Sequence, residues 1–334
     1  SNNLIYDVNN VEIDGKRGDR LANKKLIDLA FKKAFIVFVD KTLLRKDAIT
    51  LHKTKTEIIK NLVLTYQIVN NEKNNTNDTF STFNIKFDSK KVNRFLAKRG
   101  ISYADISNIS ITLLPILIKN KQIFLYEDNF FYKNWTEQLK ILENKKDELI
   151  NYTLALENIE DLEYINNIKE KISLIDAKKI NSFIGTPNYA LVIIYSTESN
   201  LKAFLKTSIK NIDINKNINL NFYQKDEDKS YEEAILILKK EINQIWKEQN
   251  LVDVNTPSFL DFFFEINKAD DYLKLKSALN AIDVIESYSV LEMTNKYSKI
   301  RFKYRGKINK IKNKLMEKKI NIQIIDNVWK LKIQ

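Results

Sequence analysis

Residues 245–266 read IWKEQNLVDVNTPSFLDFFFEI, and how this stretch divides decides how the whole chain divides. A helical pattern runs into Trp246 and stops near Asn250. Val252 and Val254 fill a short connector. Pro257 cannot continue a helix and suits the start of a strand. FLDFFFEI at 259–266 then alternates, with Leu260, Phe262 and Phe264 on one face and Phe259, Asp261 and Phe263 on the other. Rings on both faces predict protein on both faces, so the run is expected to seat the last domain against its neighbour.

Downstream, the spacing predicts a compact unit. A helix opens at Asp270, with Leu275, Ala278, Leu279 and Ile282 at i, i+3, i+4 and i+7. Strands at 287–293 and 298–304 flank the turn Thr294-Asn295-Lys296. A second helix carries Ile308, Ile311, Leu315 and Met316. A strand at 320–325 pairs with 328–333 as a hairpin arm through Asp326-Asn327. The order is β-α-β-β-α-β, a ferredoxin-like split βαβ module with one sheet face under two helices and the other free.

Upstream, the middle segment reads as strands at 109–118, 121–127, 149–156, 190–196, 202–209 and 217–224. Helical patterns lie at 135–142, over much of 158–183, and at 231–249. The N-terminal segment opens with a strand at 4–13 and the turn DGKRGD. Asp19 then caps a helix reaching Val39, whose Ala22, Ala30 and Ala34 suit close packing. Strands at 63–70 and 79–87 flank EKNNTND, and a helix at 90–99 stops at Gly100. The fold class is therefore α+β, in three small mixed-sheet units at 1–104, 105–254 and 255–334.

Composition limits function. The 334 residues include 44% hydrophobic ones, enough for sizeable cores, and carry a formal net charge of +12. Only seven of the 55 basic residues are Arg, the side chain suited to bidentate phosphate and base contacts, so a solvated lysine surface explains most of the charge. Absence of Cys excludes disulfides and thiolate chemistry. The apolar run at 106–118, interrupted by Pro115, is too short to span a bilayer. A start at Ser1 without Met is expected from a cleaved signal peptide or a tag scar.

Three features carry a family resemblance: VEIDG followed by RLANKKLIDLAFKKAF; FNIKFDSKKVNRFLAKRGI; and the last unit's Tyr304-Arg305-Gly306 step with its closing strand at Trp329. With these the chain resembles a bacterial family of exported proteins, common in alphaproteobacteria, the domain-of-unknown-function family 2066. The resemblance implies a removed signal peptide and a periplasmic or envelope-associated location. It brings no active site to carry over. The unit order also resembles small α/β envelope adaptors of flagellar or lipoprotein assembly, by fold analogy alone.

Catalytic motifs are weak. The Walker spacing and the GxSxG elbow are absent. His52 is the sole histidine, in a segment that reads as a polar surface loop. The glycines of GKRG at 15–18 precede a helix, but Asp14 and Asp19 flank them and repel phosphate. Asp226, Glu227, Asp228, Glu232 and Glu233 complement the dipole of a helix start. Asp253 and Asp261 could be imagined as an acid/base pair, but nothing fixes their separation.

The densest positive surface is expected on the last unit: Arg301, Lys303 and Arg305 alternate on a strand, and Lys307, Lys310, Lys312 and Lys314 follow on the next helix. These residues are the expected contact for an acidic partner or an anionic surface. The sequence thus reads as a non-enzymatic, exported adaptor of the bacterial envelope. It is expected to use no cofactor and no metal, and to bind envelope proteins. The alternative is a cytoplasmic nucleic-acid-binding protein using the Lys-rich C-terminal helix. A third reading, an enzyme with a carboxylate-only site, lacks a motif.

Overall fold

The chain is a mixed α and β protein in the computed structural model, which describes residues 4–15, 18–69, 80–105, 108–136, 149–253, 256–326 and 328–334. It divides into two units, residues 1–105 with 247–334, and residues 106–246. The expected first and last segments therefore share one unit, and most of the middle segment forms the other.

The N-terminal segment builds β1 (Asp7–Asp14), α1 (Arg20–Thr42), α2 (Arg45–Leu51), α3 (Thr56–Leu62), β2 (Val63–Val69), β3 (Phe80–Phe87), α4 (Ser89–Ala97) and β4 (Tyr103–Ala104). Asp19 caps α1 by accepting a hydrogen bond from the Ala22 amide at 2.9 Å. Gly15 turns the chain at φ +129°, where a Cβ would come within 2.8 Å of Leu26. The α1 stripe Ala30, Ala34, Phe35 and Phe38 packs with Val8, Val11, Phe83, Ile85 and Phe87 of the antiparallel sheet β1-β3-β2. The segment expected as a polar loop around His52 instead contains α2, with α3 directly after it. The apolar pairs Ala48 with Leu51 and Ile59 with Leu62 each recur at i, i+3 and are buried in this core. The expected turn at 72–78 lies outside the described residues, as do Lys16 and Arg17 of the Gly turn.

The middle unit contains β5 (Ile109–Lys119), β6 (Gln122–Phe124), α5 (Phe130–Asn134), β7 (Ile150–Leu154), α6 (Ile159–Asn167), β8 (Asn188–Ser196), β9 (Leu201–Ile209), β10 (Ile212–Leu220) and most of α7 (Glu227–Gln249). Its sheet runs β10-β9-β8-β5-β6, and β7 also pairs with β5. β7 and β6 share one edge of β5, parallel along its first half and antiparallel along its second. Between them Pro115 offers only a carbonyl, which the buried Asn129 amide meets at 3.0 Å. Lys210 and Asn211, both at positive φ, turn β9 into β10 earlier than the expected strand at 217–224. Of the helix expected at 135–142, Trp135 and Thr136 form a turn after α5, and residues 137–142 lie outside the described residues. α7 begins at Glu227 rather than 231, because Asp226 caps it by accepting from the Lys229 amide at 3.0 Å.

The chain re-enters the first unit at Lys247. There β11 (Leu251–Val252) pairs with β4, and β12 (Ser258–Glu265), α8 (Asp271–Ala281), β13 (Ile285–Met293), β14 (Tyr297–Tyr304), α9 (Ile308–Glu317), β15 (Ile320–Ile325) and β16 (Val328–Ile333) follow. Phe262, Phe264, Ile300, Phe302 and Leu331 of the sheet share one core with Leu275, Leu279, Ile311 and Leu315 of the helices. The expected hairpin of 320–325 with 328–333 forms, although Asn327 is not described. It does not sit as an outer arm. The order β13-β14-β12-β16-β15 places β16 beside β12, and parallel to it. The module therefore departs from the plain split βαβ order by one inserted strand.

The expectation for the Phe run is corrected. Phe262 and Phe264 fill the module's own core, whereas Phe259 is 61% exposed. Residues away from the run fasten the two segments. Val252 is buried in the N-terminal core, and Gly306, at φ +91°, packs so closely on it that a Cβ would stand 3.1 Å from a Val252 methyl.

Candidate functional site

The seven expected contact residues do not form one surface. Arg301 grips Asp261 through two nitrogens at 2.6 and 2.8 Å, and this guanidinium holds the Asp261 carboxyl below its ordinary pKa. Lys303 and Arg305 both reach Glu286, at 3.0 and 2.9 Å. Burial alone would raise Glu286, but these two cations outweigh it and lower its pKa. Lys310 bridges Asp105 at 2.8 Å and Asp283 at 3.2 Å. Lys312 lies 4.9 Å over the Trp329 ring, Lys314 is 4.0 Å from Glu317, and Lys307 stands exposed at the start of α9. Three of the expected cations thus hold local carboxylates on β12 and β13, and Lys310 acts as an internal fastener.

That fastener belongs to a buried polar cluster that the sequence did not reveal. Tyr6 donates to the Asn93 side chain at 2.8 Å, and the Asn93 amide donates to the Asp283 carbonyl at 3.1 Å. Tyr6 also lies 3.4 Å from the Asp283 carboxylate, whose side chain is wholly buried and whose Oδ1 has no hydrogen-bond partner. Burial pushes the Tyr6 and Tyr103 hydroxyls well above their ordinary pKa, and the Asp283 charge adds to it. The members come from residues 6, 93, 103, 105, 283 and 310, with no local spacing to betray them. Beside the cluster a cleft of about 410 Å³ opens between α4 and the segment around Asp283 and Arg305.

A second concavity, about 630 Å³, lies on the sheet face of the C-terminal module away from its helices. Alternation along β12, β14 and β16 brings Phe263, Tyr297 and Lys330 to it, and β15 adds Asn321 and Gln323. Phe263 meets Tyr297 edge-on at 5.6 Å between centroids, and the Lys299 ammonium lies 5.6 Å from the Phe263 ring. Tyr297 is anchored by donating to Glu292 at 2.7 Å. Phe259 stands in register with Lys303 on the same strand face. The alternation in FLDFFFEI predicted which rings face this way; the open face agrees with the free face expected from the module's order and not with the neighbour expected over the Phe run.

Other candidates resolve locally. His52 is 2.6 Å from Asp40 on a partly exposed surface. Asp253 accepts from the Thr256 amide at 3.4 Å, and Asp261 is committed to Arg301, so the imagined acid/base pair has separate local roles. Among the described residues no group of three or more His, Cys, Asp or Glu side chains is placed to hold a metal ion. No described helix is long and apolar enough to cross a membrane. No protein-family model, curated protein or solved structure matches this chain.

Proposed function

We propose that this chain is a non-enzymatic adaptor of the bacterial cell envelope that docks an acidic protein partner on the open sheet face of its C-terminal module. The supporting observation is the pairing of rings with cations on that face. Phe259 is 61% exposed, and Phe263 and Tyr297 line a groove whose wall carries Lys296, Lys330 and Lys332 against Glu265 and Asp326, with Lys332 pairing Glu265 at 3.5 Å, so that cations outnumber carboxylates there. Aromatic side chains on a rigid sheet supply contact area at small entropic cost, and surrounding lysines steer an acidic surface into place. The envelope location is what the family resemblance implies.

The test is capture from envelope extract by the full chain, compared with Phe259→Ser/Phe263→Ala. Both rings lie outside the buried core, so the variant keeps the fold. Capture of one defined acidic protein that the double variant loses at least tenfold supports the reading. Equal capture by both forms contradicts it. Removing Lys310 is no test of a surface contact, because that side chain fastens the fold from within.

One observation favours nucleic acid as a second reading. Phe263 and Tyr297 lie on adjacent central strands with Lys299 and Arg301 beside them, an arrangement on which single-stranded bases can stack. That reading predicts capture that is nuclease-sensitive and falls steeply with salt.

A further inference from the structure

We propose that the cleft between α4 and the segment around Asp283 and Arg305 is a binding site for a small phosphate ester that carries hydroxyl groups, a glycerophosphate-type ligand. The site lies within the first unit and does not depend on the open sheet face.

Its carrying observation is a row of unmatched cations. Lys90 and Arg94 lie four residues apart on one face of α4, Lys98 follows four residues on at its C-cap, and all three line the 410 Å³ cleft. Like charges at this spacing destabilise a helix. Elsewhere in the same unit Arg301, Lys303, Arg305 and Lys310 each have a carboxylate within 3.2 Å. None of the three α4 cations has a carboxylate within ion-pairing distance among the described residues. Burial, and then the neighbouring Arg94, push the Lys90 ammonium below its ordinary pKa against the weaker pull of the Asp88 charge, a strain that a bound anion relieves.

The remaining wall sets the ligand class. Arg305 faces the cleft, and the two lining carboxylates, Glu286 and Asp283, are each already held by cations. The field in the cleft is therefore positive. Yet Asn93, Tyr103 and Glu286 also line the wall and bring polar groups to it. Cations on α4 and uncharged or paired polar groups opposite them fit a phosphate bearing hydroxyls better than a bare anion or a nucleobase. The volume lies in the range of small-molecule sites. The same chemistry occurs in free glycerol phosphate and in the headgroup of phosphatidylglycerol.

Calorimetric titration of the full chain with glycerol phosphate, and co-sedimentation with phosphatidylglycerol vesicles against phosphatidylcholine vesicles, test the site. Arg94→Gln/Lys98→Gln removes two exposed cations, and Lys240→Gln, outside the cleft, is the charge control. Saturable binding of glycerol phosphate that the double variant weakens tenfold or more, with the control unchanged, supports the site with a free metabolite as its ligand. Binding only to phosphatidylglycerol vesicles, lost in the same variant, supports it with a lipid headgroup. No binding of either probe overturns the proposal, and so does binding that both variants retain or both lose alike.

Discussion

Lys247 shows how one residue ties stability to pH. Its ammonium donates to the carbonyls of Asp40 and Leu43 at the end of α1, the second at 3.2 Å. Burial lowers its pKa from 10.5 to about 8, with the Asp40 charge opposing and Arg45 assisting. Below about pH 8 both folded and unfolded chains hold this proton, and the burial cost is felt in full. Between about 8 and 10.5 only the unfolded chain holds it, so stability rises with pH. The rise should be on the order of 2 kcal/mol over two pH units. The raised pKa of Tyr6 and Tyr103 acts in the opposite sense: above pH 10 the unfolded chain loses those protons first, and stability falls. Urea titrations across this range should therefore climb and then turn over, and Lys247→Met should flatten the climb. A wild-type profile already flat between pH 8 and 10 would contradict the assignment.

The Asp283–Lys310 pair, also at this scale, predicts a second outcome. Lys310→Ala leaves a buried carboxylate without its main cation and should cost roughly 3–5 kcal/mol in denaturant titration. Asp283→Asn with Lys310→Met removes both charges and should cost clearly less than the two single changes summed. Strict additivity would show that the two side chains do not interact. None of this was legible in the sequence. Asp283 and Lys310 are ordinary polar letters there, and only the return of the chain against the N-terminal segment makes them a pair.

Elements were legible where their stabilisation is local. The period of α1, the cap at Asp19 and the end of α4, at Ala97 in the turn that runs to the expected stop at Gly100, all depend on neighbours a few residues away. Asp19→Ala should accordingly cost about 1 kcal/mol in a urea titration. A neutral result would mean that solvent caps α1 equally well. Elements decided by distant partners were misread. α2 carries only two buried residues, which are too few for a period to stand out in LLRKDAITLHKTK. The place of β16 depends on hydrogen bonds to β12, and no pattern within VWKLKI distinguishes an outer arm from an inserted strand. The Phe run alternated as expected, but alternation says only which residues share a face, not what covers it.

For the whole molecule, the +12 charge is less informative than its pairing. The sequence pointed to the last unit's basic strand and helix because the lysines are densest there. Folding commits Arg301, Lys303, Arg305 and Lys310 to carboxylates and leaves the row on α4 unmatched instead. Reading the terminal segments as separate units hid both the polar cluster and the cleft, since each is built from the two segments together. The open sheet face was anticipated in kind, as one face under helices and one free, but its rings were read as a seat for the neighbouring domain.

The most direct measurement of that role is hydroxyl-radical footprinting of the full chain with and without its captured acidic partner. The account predicts strong protection of Phe259, Phe263 and Tyr297, with unchanged oxidation of the exposed Leu156 and Ile159 in the other unit. Unchanged oxidation of those three rings in a saturated complex, with protection elsewhere, would contradict the open face as the docking surface.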